Sequence, residues 1–328
     1  MNRRDVVLAL MALGTATRSS GSMAQAAGKV WRVGYLSPVR RVAAPHLEEA
    51  FRQAMLALGY VEGRNILFDV RYAENQFERL SGLAAELVSL KPDAILAVAT
   101  VAISAAQKAS SSIPIVMCPA TDPVGSGFIA NFARPGGNIT GVVNMNADLS
   151  VKLLQMLHTF APSIKRIAVL TMAGNPTHMG LAKDIQEAAH TLGLVSVPIP
   201  VVAAAELEGA FSAIAKAGCG AVVVLPDPLF VGERQRLAEL CTKAKLPAVY
   251  RYREHVEAGG LVSYGSNLPA LYRRAAFYVD KIFKGTKPGE IPVEQPTVFE
   301  LYINGRTAKA LGLKIPPELI LQADRIVE

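Results

Sequence analysis

Hydroxyl and carboxylate side chains that could bind a small polar ligand follow predicted strands in the first half of the chain. Ser37 ends the first predicted strand, and Thr100 lies between a strand and a helix. Thr121 and Asp122 follow the fourth strand. A hydroxyl beside a helix N-terminus can bind an anion, and a carboxylate can bind an ammonium group. Thr100 and Asp122 fit equally well as helix-cap or turn residues. Asn146 lies where we expect the chain to cross to a second lobe.

Similar positions recur in the second half of the chain. Asn175 and Pro176 lie between a predicted strand and a helix, and Asp227 lies between Pro226 and Pro228. Because the two prolines restrict the backbone on either side, Asp227 is held at a strand end, where it either caps a helix or contacts a ligand. The remaining candidates, which would form a pocket wall or else belong to the core, are Phe230, Tyr250, Tyr264 and Gly265.

Signatures of catalysis and of cofactor binding are weak. The histidines, at positions 46, 158, 178, 190 and 255, show no metal-ligand spacing, and no Gly-x-Ser-x-Gly motif is found. Residues 125–130 match a dinucleotide-binding pattern, but seven residues separate them from the strand that they should follow directly. Glu254, His255 and Glu257 are predicted to lie on a solvent-exposed helix face. We therefore predict a protein that is not an enzyme and that has no cofactor and no metal site.

The composition is typical of buried parallel sheets. Of 328 residues, 51% are hydrophobic and only 6% are aromatic, which suits strands covered on both faces. The net charge of +7 is scattered; the tightest basic cluster, residues 251–253, is followed by acidic residues, so we predict no nucleic-acid partner. The three cysteines, at wide spacing, indicate buried thiols, with a Cys219–Cys241 disulfide as the alternative.

An export signal is predicted at the N-terminus. Arg3 and Arg4 precede a short apolar run, and the small-x-small sequence at residues 24–26 predicts cleavage near Ala26. The run is shorter than the roughly 18 apolar residues that a transmembrane helix needs. The general secretory route and the twin-arginine route both fit the paired arginines. We expect residues 1–26 to be a signal peptide and the mature protein to be periplasmic.

Strand and helix patterns alternate through the rest of the chain and restart after residue 144. This alternation predicts an α/β fold with two doubly wound parallel-sheet lobes. We assign residues 27–145 and about 266–302 to the N-terminal lobe, and residues 146–265 and about 303–328 to the C-terminal lobe. Ligands of open α/β sheets bind at the carboxyl ends of the strands, so a ligand cleft is expected between the lobes.

Several stretches, which follow one another over nearly the whole mature chain, resemble a known family. They are residues 57–65 (ALGYVEGRN), 122–125 (DPVG) with 134–141 (RPGGNITG), 227–230 (DPLF), 258–265 (AGGLVSYG) and 304–316 (NGRTAKALGLKIP). Together they resemble the solute-binding proteins of ABC transporters in the tryptophan-binding-protein-like family. The resemblance implies a type I periplasmic-binding-protein fold, a small-molecule ligand and an ABC transporter permease as the partner.

The resemblance also implies pocket positions, which are Ser37, Thr100, Thr121, Asp122, Asn175, Asp227, Phe230 and Tyr264. The chain departs from the family pattern at Val101, which is bulkier than the small residues that would let an anion approach closely. We expect an exported, monomeric solute-binding protein that captures an amino acid, or an aromatic or carboxylate compound, and delivers it to an ABC importer. The alternative is a periplasmic ligand-sensing module of a membrane signalling receptor.

Overall fold

A computed structural model describes residues 29–144 and 148–328. The predicted signal peptide, its cleavage site and Asn146 lie outside these residues. Within them, no helix combines the length and the apolar character needed to cross a lipid bilayer. Residues Trp31–Glu328 form one structural unit.

Short apolar strands form two sheets. The first sheet is wholly parallel and has the order β2-β1-β3-β4-β5; the second has the order β12-β11-β10-β9-β8-β6-β7, with only the β10–β11 pair antiparallel. The strands are β1 Trp31–Ser37, β2 Ile66–Tyr72, β3 Ala94–Ala97, β4 Ile115–Ala120, β5 Ile139–Val143, β6 Arg166–Met172, β7 Val195–Val201, β8 Ala221–Val224, β9 Ala248–Tyr250, β10 Val262–Gly265, β11 Glu300–Asn304 and β12 Arg325–Val327.

Helices connect the strands and cover both faces of each sheet. They are α1 Pro45–Ala57, α2 Leu80–Ser89, α3 Ala99–Ala109, α4 Asp148–Phe160, α5 His178–Thr191, α6 Leu207–Lys216, α7 Pro228–Gly232, α8 Arg234–Lys243, α9 Arg253–Glu257, α10 Leu268–Phe283, α11 Gly305–Ala310 and α12 Pro317–Gln322. Short 3₁₀ turns lie at Phe77–Arg79, Ala204–Glu206 and Pro288–Glu290.

The first lobe consists of β1–β5 with the helices that pack on them. Phe51 and Met55 of α1 pack with Ala275 and Val279 of α10 on one face of the sheet, while α2 and α3 cover the other face. In the second lobe, β6–β12 are covered on one face by α4, α5, α11 and α12. The opposite face is covered by α6, α7 and α8. This arrangement confirms the predicted α/β fold with two doubly wound, mostly parallel sheets.

The chain passes between the sheets after β5, after β10 and before β11. The Thr140 hydroxyl donates to the Ile291 carbonyl at 2.8 Å, and Val142 forms a bridge with Glu294, so this returning segment still contacts the first sheet. β11 then pairs with β10 from Glu300 onward. The chain therefore returns to the second sheet before Glu300.

Local sequence explains several boundaries. Pro198 and Pro200 both lie within β7. This strand is at the edge of its sheet, where the missing N–H groups of proline need not remove hydrogen bonds to a neighbouring strand. Gly59, which follows α1, adopts the left-handed φ of 92° that favours glycine. The Asn267 side chain accepts the Ala270 N–H and caps α10.

Two expectations from the sequence need correction. The helix predicted over residues 231–244 is divided into α7 and α8 at Glu233. The face carrying Glu254 and His255 is not exposed, because α9 packs against β10 and β11 and leaves each of these residues 3% exposed. One turn of helix carries too little periodicity to separate these alternatives. Cys118, Cys219 and Cys241 are all free, buried thiols, so the alternative disulfide is not formed.

Candidate functional site

A cavity lies between the carboxyl ends of the two sheets. Its walls come from the segments after β1, β3, β4 and β5 in the first lobe and after β6, β8 and β9 in the second. The start of α10 contributes Leu268 and Tyr272. The cavity volume is about 60 Å³. Because strand ends of both lobes converge here, this cavity is the candidate ligand site.

Five residues expected at the site line this cavity. Ser37, Thr100 and Thr121 contribute from the first lobe, and Asn175 and Asp227 from the second. All five are buried. They are far apart in sequence and come together only because the carboxyl ends of the strands face each other.

Other expected residues lie outside the cavity lining. Phe230 is fully buried among the apolar residues of the second lobe. The Tyr250 ring stacks on His255 with centroids 4.6 Å apart, and its hydroxyl donates to Cys241 Sγ at 3.5 Å. Tyr264 packs beside Phe299. A position at a strand end does not determine on which face the side chain lies, because successive residues alternate.

The remaining expected residues have backbone or surface positions. Asp122 is exposed, and its carboxylate accepts the Gly125 N–H at 2.9 Å, which makes it a turn residue. Pro176 is also exposed. Gly265 lies where a Cβ would come within 2.0 Å of the Arg251 carbonyl oxygen, so close backbone approach accounts for this glycine.

The first-lobe wall presents a helix N-terminus to the cavity. Ala99, the first residue of α3, has a φ of 62°, which is uncommon for a residue other than glycine. No side chain caps this helix. The Thr100 hydroxyl instead accepts the Thr121 N–H at 3.3 Å. Ser37 is 1% exposed, and its hydroxyl forms no hydrogen bond with a described residue. This wall therefore offers donors to an anion.

The second-lobe wall presents a buried carboxylate. Asp227 Oδ1 accepts the Leu229 N–H at 2.8 Å, and Oδ2 accepts from Asn175 Nδ2 at 2.9 Å. Burial raises the pKa of Asp227, while these hydrogen bonds and nearby His178 oppose the rise. A carboxylate has more lone pairs than these bonds use, so Asp227 can accept further hydrogen bonds from a ligand.

His178 beside Asp227 is neutral. Its Nδ1 accepts the Met172 N–H at 2.7 Å, so the proton is on Nε2, which faces the Pro226 carbonyl at 3.3 Å. Burial lowers the pKa of His178, although Asp227 partly opposes this shift. The 3.8 Å distance between His178 Nε2 and Asp227 Oδ2 is thus not an ion pair at neutral pH. His178 therefore does not neutralise the charge of an ionised Asp227.

Polar groups at the first crossing also line the cavity, and sequence reasoning did not select them. The Asn144 Nδ2 group donates to the Tyr252 hydroxyl at 2.5 Å, and Asn144 Oδ1 accepts from the Thr121 hydroxyl at 3.0 Å. Burial raises the pKa of Tyr252 to about 12, so its phenol is neutral at physiological pH. Asn144 directly follows β5, and Ser37 ends β1; this similar position at a strand end is the sequence signal that could have identified Asn144.

Tyrosines form an aromatic part of the cavity wall. Tyr35, Tyr72 and Tyr272 all line it, and the Tyr35 and Tyr72 rings lie 6.0 Å apart. The Tyr72 hydroxyl donates to Glu48. Burial raises the pKa of Tyr35 well above its usual value, so it stays neutral. Such rings can pack against an apolar or aromatic ligand side chain.

Side chains of the two lobes meet at the cavity mouth. Arg40 Nη2 lies 2.8 Å from Glu233 Oε1, and Arg234 Nη1 donates to the Ala43 carbonyl at 2.7 Å. The lobes are therefore in direct contact around the site. Among residues 29–144 and 148–328, no group of three or more His, Cys, Asp or Glu side chains has the arrangement of a metal site.

Comparisons with known proteins give a consistent result. The family described as ABC transporter substrate binding protein matches residues 33–327. The tyrosine-binding protein of Clostridioides difficile is 28% identical over 275 residues, which cover 82% of this chain and 78% of that protein.

Two solved structures are also similar. A conserved domain protein from Vibrio cholerae has a TM-score of 0.86 at 26% identity, with 91% of this chain and 100% of that chain covered. An ABC domain from Streptococcus pneumonia in complex with L-Trp has a TM-score of 0.84 at 21% identity, with 90% and 99% covered. At that identity the second likeness shows the fold alone. The predicted resemblance and the type I periplasmic-binding-protein fold are confirmed.

Proposed function

Since the chain belongs to the ABC transporter substrate binding protein family, we propose that it captures a free amino acid between its lobes and delivers it to an ABC importer. The ligand leaves unchanged, because the protein carries out no chemistry on it. The proposal includes export to the periplasm, cleavage near Ala26 and a membrane permease as the partner of a monomeric protein.

The observation that carries the proposal is the pairing of opposite polar walls in one cavity. The N-terminus of α3 and the Ser37 hydroxyl offer hydrogen-bond donors, and Asp227 in the other lobe offers a buried carboxylate. An α-amino acid carries one carboxylate and one ammonium group close together. The donors would bind the carboxylate, and Asp227 would bind the ammonium group.

The rest of the cavity suits an aromatic or apolar side chain. Tyr35, Tyr72 and Tyr272 form one wall together with Leu47 and Leu268. The similarity to a tyrosine-binding protein supports the same ligand class. Tyrosine and tryptophan are therefore the first ligands to test.

Binding requires the lobes to move. The cavity volume of about 60 Å³ is well below the roughly 300–1,000 Å³ of pockets that hold small molecules. The lobes must separate to admit a ligand and then close on it, and contacts from both lobes favour the closed state. The closed form would then dock on the permease.

The test is titration calorimetry of ligand-free protein, refolded to remove any bound solute, with L-tyrosine, L-tryptophan and L-leucine. Tyramine and 3-(4-hydroxyphenyl)propionate, which lack the carboxylate and the ammonium group respectively, serve as matched comparators. We expect saturable binding of at least one amino acid and much weaker binding of the comparators. Equal affinity for tyrosine and either comparator would contradict recognition of both charged groups.

A further inference from the structure

Arg251 is a buried cation next to the candidate site. It follows β9 directly and is 4% exposed. Its Nη2 group donates to the Asn144 carbonyl at 3.0 Å, whereas Nε is buried and has no hydrogen-bond partner among the described residues. Burial lowers the pKa of Arg251, and the neighbouring Tyr252 phenol opposes that shift. The Arg251 guanidinium is thus removed from solvent, and its hydrogen-bonding capacity is not fully used.

No carboxylate among the described side chains lies within ion-pair distance of Arg251. Arg253, two residues later, differs in this respect. Its Nη1 lies 3.6 Å from Glu300 Oε2, and its Nε lies 3.8 Å from Glu257 Oε1. Burying a charge without a counter-charge costs free energy, because the charge loses its hydration and gains no ion pair. An anion that binds close to Arg251 would supply the missing counter-charge.

The surroundings of Arg251 connect it to the anion-binding wall. It donates to Asn144, whose side chain accepts from the Thr121 hydroxyl. Thr121 in turn donates its N–H to the Thr100 hydroxyl at the start of α3. Residues joined by backbone and side-chain hydrogen bonds therefore connect Arg251 to the helix N-terminus in the other lobe, and Thr100, Thr121 and Asn144 all line the cavity.

Asp227 supplies the opposite charge on the same cavity. Tyr252, which lines the cavity, is affected by charges of both signs: Arg251 lowers the pKa of its phenol, and the carboxylates of Glu254 and Asp227 raise it. Burial is the main cause of the raised pKa of Tyr252, and these charge effects are smaller. Arg251 directly precedes Tyr252 in the chain, and Asp227 lines the same cavity as Tyr252, so groups of both charges lie near the site, as a zwitterionic ligand would require.

We propose that Arg251 is the buried positive charge that selects ligands with a free carboxylate and that, opposite Asp227, makes the site specific for zwitterions. Arg251 acts as a positioning residue: it holds Asn144 through the hydrogen bond to the Asn144 carbonyl, and its positive charge attracts the ligand carboxylate electrostatically. The proposal rests on the proposed amino-acid function. It adds Arg251 as a specificity residue and adds the requirement that the ligand carry a free carboxylate. It predicts discrimination between an amino acid and its amide, which keeps the ammonium group and loses the negative charge.

The experiment compares L-tyrosine with L-tyrosinamide by titration calorimetry, or the equivalent acid and amide of whichever tested amino acid binds. Arg251→Met removes the charge and keeps an unbranched apolar stem, Arg251→Lys keeps the charge, and Arg253→Met is the matched control. We expect Arg251→Met to weaken binding of the acid about tenfold or more, as the loss of one partly buried charge interaction does. Binding of the amide should change less than about threefold. Arg251→Lys should restore most of the affinity, and Arg253→Met should leave both affinities unchanged.

A ligand-free readout separates this role from a structural one. Arg251→Met removes an uncompensated buried charge, so its melting temperature without ligand should equal or exceed that of the wild type. A lower melting temperature together with equal losses for acid and amide would overturn the inference and make Arg251 a structural residue. A wild type that binds the acid and the amide equally would overturn it as well. A wild type that binds no amino acid at all would overturn the proposed function, and this inference with it.

Discussion

Arg40 Nη2 and Glu233 Oε1 lie 2.8 Å apart across the mouth of the cavity, one in each lobe. The Arg40 side chain is 46% exposed and the Glu233 side chain is 11% exposed, so the pair is only partly screened by solvent. In the lobe opening that we propose, its partners would separate, so the pair would stabilise the closed state alone.

Glu233→Gln should therefore favour opening. Ion pairs that are partly exposed contribute up to about 1 kcal/mol, which corresponds to a change of roughly twofold to fivefold in the ligand dissociation rate. Stopped-flow fluorescence measures that rate. Glu208→Gln is the control, because Glu208 pairs with Arg236 within the second lobe. Identical dissociation rates for wild type and Glu233→Gln would show that the pair does not restrain closure.

The carboxylates of Asp227 and Asp122 should behave differently when each is changed to asparagine. Asp227 lines the cavity, so Asp227→Asn should lower ligand affinity by about tenfold to a hundredfold through loss of a charge-assisted hydrogen bond. Asp122 is an exposed turn residue, so Asp122→Asn should leave affinity unchanged. Titration calorimetry distinguishes the two; a loss confined to Asp122→Asn would move the ammonium site to the first lobe.

Asp227→Asn should also lower stability modestly. The Asn175 Oδ1 atom accepts from the Thr177 N–H and hydroxyl, which fixes Nδ2 toward Asp227. An amide at position 227 has only one oxygen for two donors, the other being the Leu229 N–H. One hydrogen bond is lost in either orientation, at a cost of about 1 kcal/mol in urea unfolding. Unchanged stability would mean that Asn175 reorients.

Ser37 and Thr140 should separate ligand binding from folding. The Ser37 hydroxyl is bonded to no described residue, so Ser37→Ala should reduce affinity by about threefold to tenfold with little change in melting temperature. Thr140 donates to the Ile291 carbonyl, away from the cavity lining, so Thr140→Val should lower the melting temperature and spare affinity. If Ser37→Ala binds ligand as the wild type does, the hydroxyl takes no part in recognition.

Because of His255, the free energy of unfolding should decrease as the pH is lowered. Burial lowers its pKa from 6.5 to about 4. Between these values the unfolded chain binds a proton that the folded protein does not, so stability decreases as pH falls through that window. The His255 contribution amounts to about 2 kcal/mol between pH 7 and pH 5.

Urea unfolding at the two pH values measures this contribution. His255→Gln should flatten the pH dependence by that amount, whereas the exposed His190→Gln should leave the wild-type slope intact. His178 contributes in the same direction as His255, because burial lowers its pKa too, so some slope should remain in His255→Gln. An unaltered slope in His255→Gln would contradict a neutral, buried ring in the folded state.

Periodicity and apolar content predicted most of the fold. β3 is a continuous apolar run that is completely buried, and such strands admit few alternatives to a covered parallel sheet. The short α12 and β12 were missed, because three to six residues carry little periodicity. The break at Glu233 lies where the chain contacts the other lobe, through Glu233 with Arg40 and Arg234 with Ala43, and local sequence does not encode such contacts.

The strand-end rule predicted the polar part of the site better than the aromatic part. Ser37 and Asp227 line the cavity because Ser37 ends β1 and Asp227 lies in the short segment that follows β8. Tyr35 lies within β1 and Tyr272 lies on a helix far along the chain, so only tertiary packing brings them together. Tyr252 was missed in favour of Tyr250, two residues earlier, because the backbone leaves the strand between them and the second side chain reaches the cavity.

Native mass spectrometry of gently purified protein tests the central claim most directly. The account predicts that wild-type protein carries one amino acid, identified by its released mass, and that Asp227→Asn loses it while Asp122→Asn retains it. A co-purified compound without both an ammonium group and a carboxylate, or full retention by Asp227→Asn, would contradict capture of an amino acid between the two polar walls.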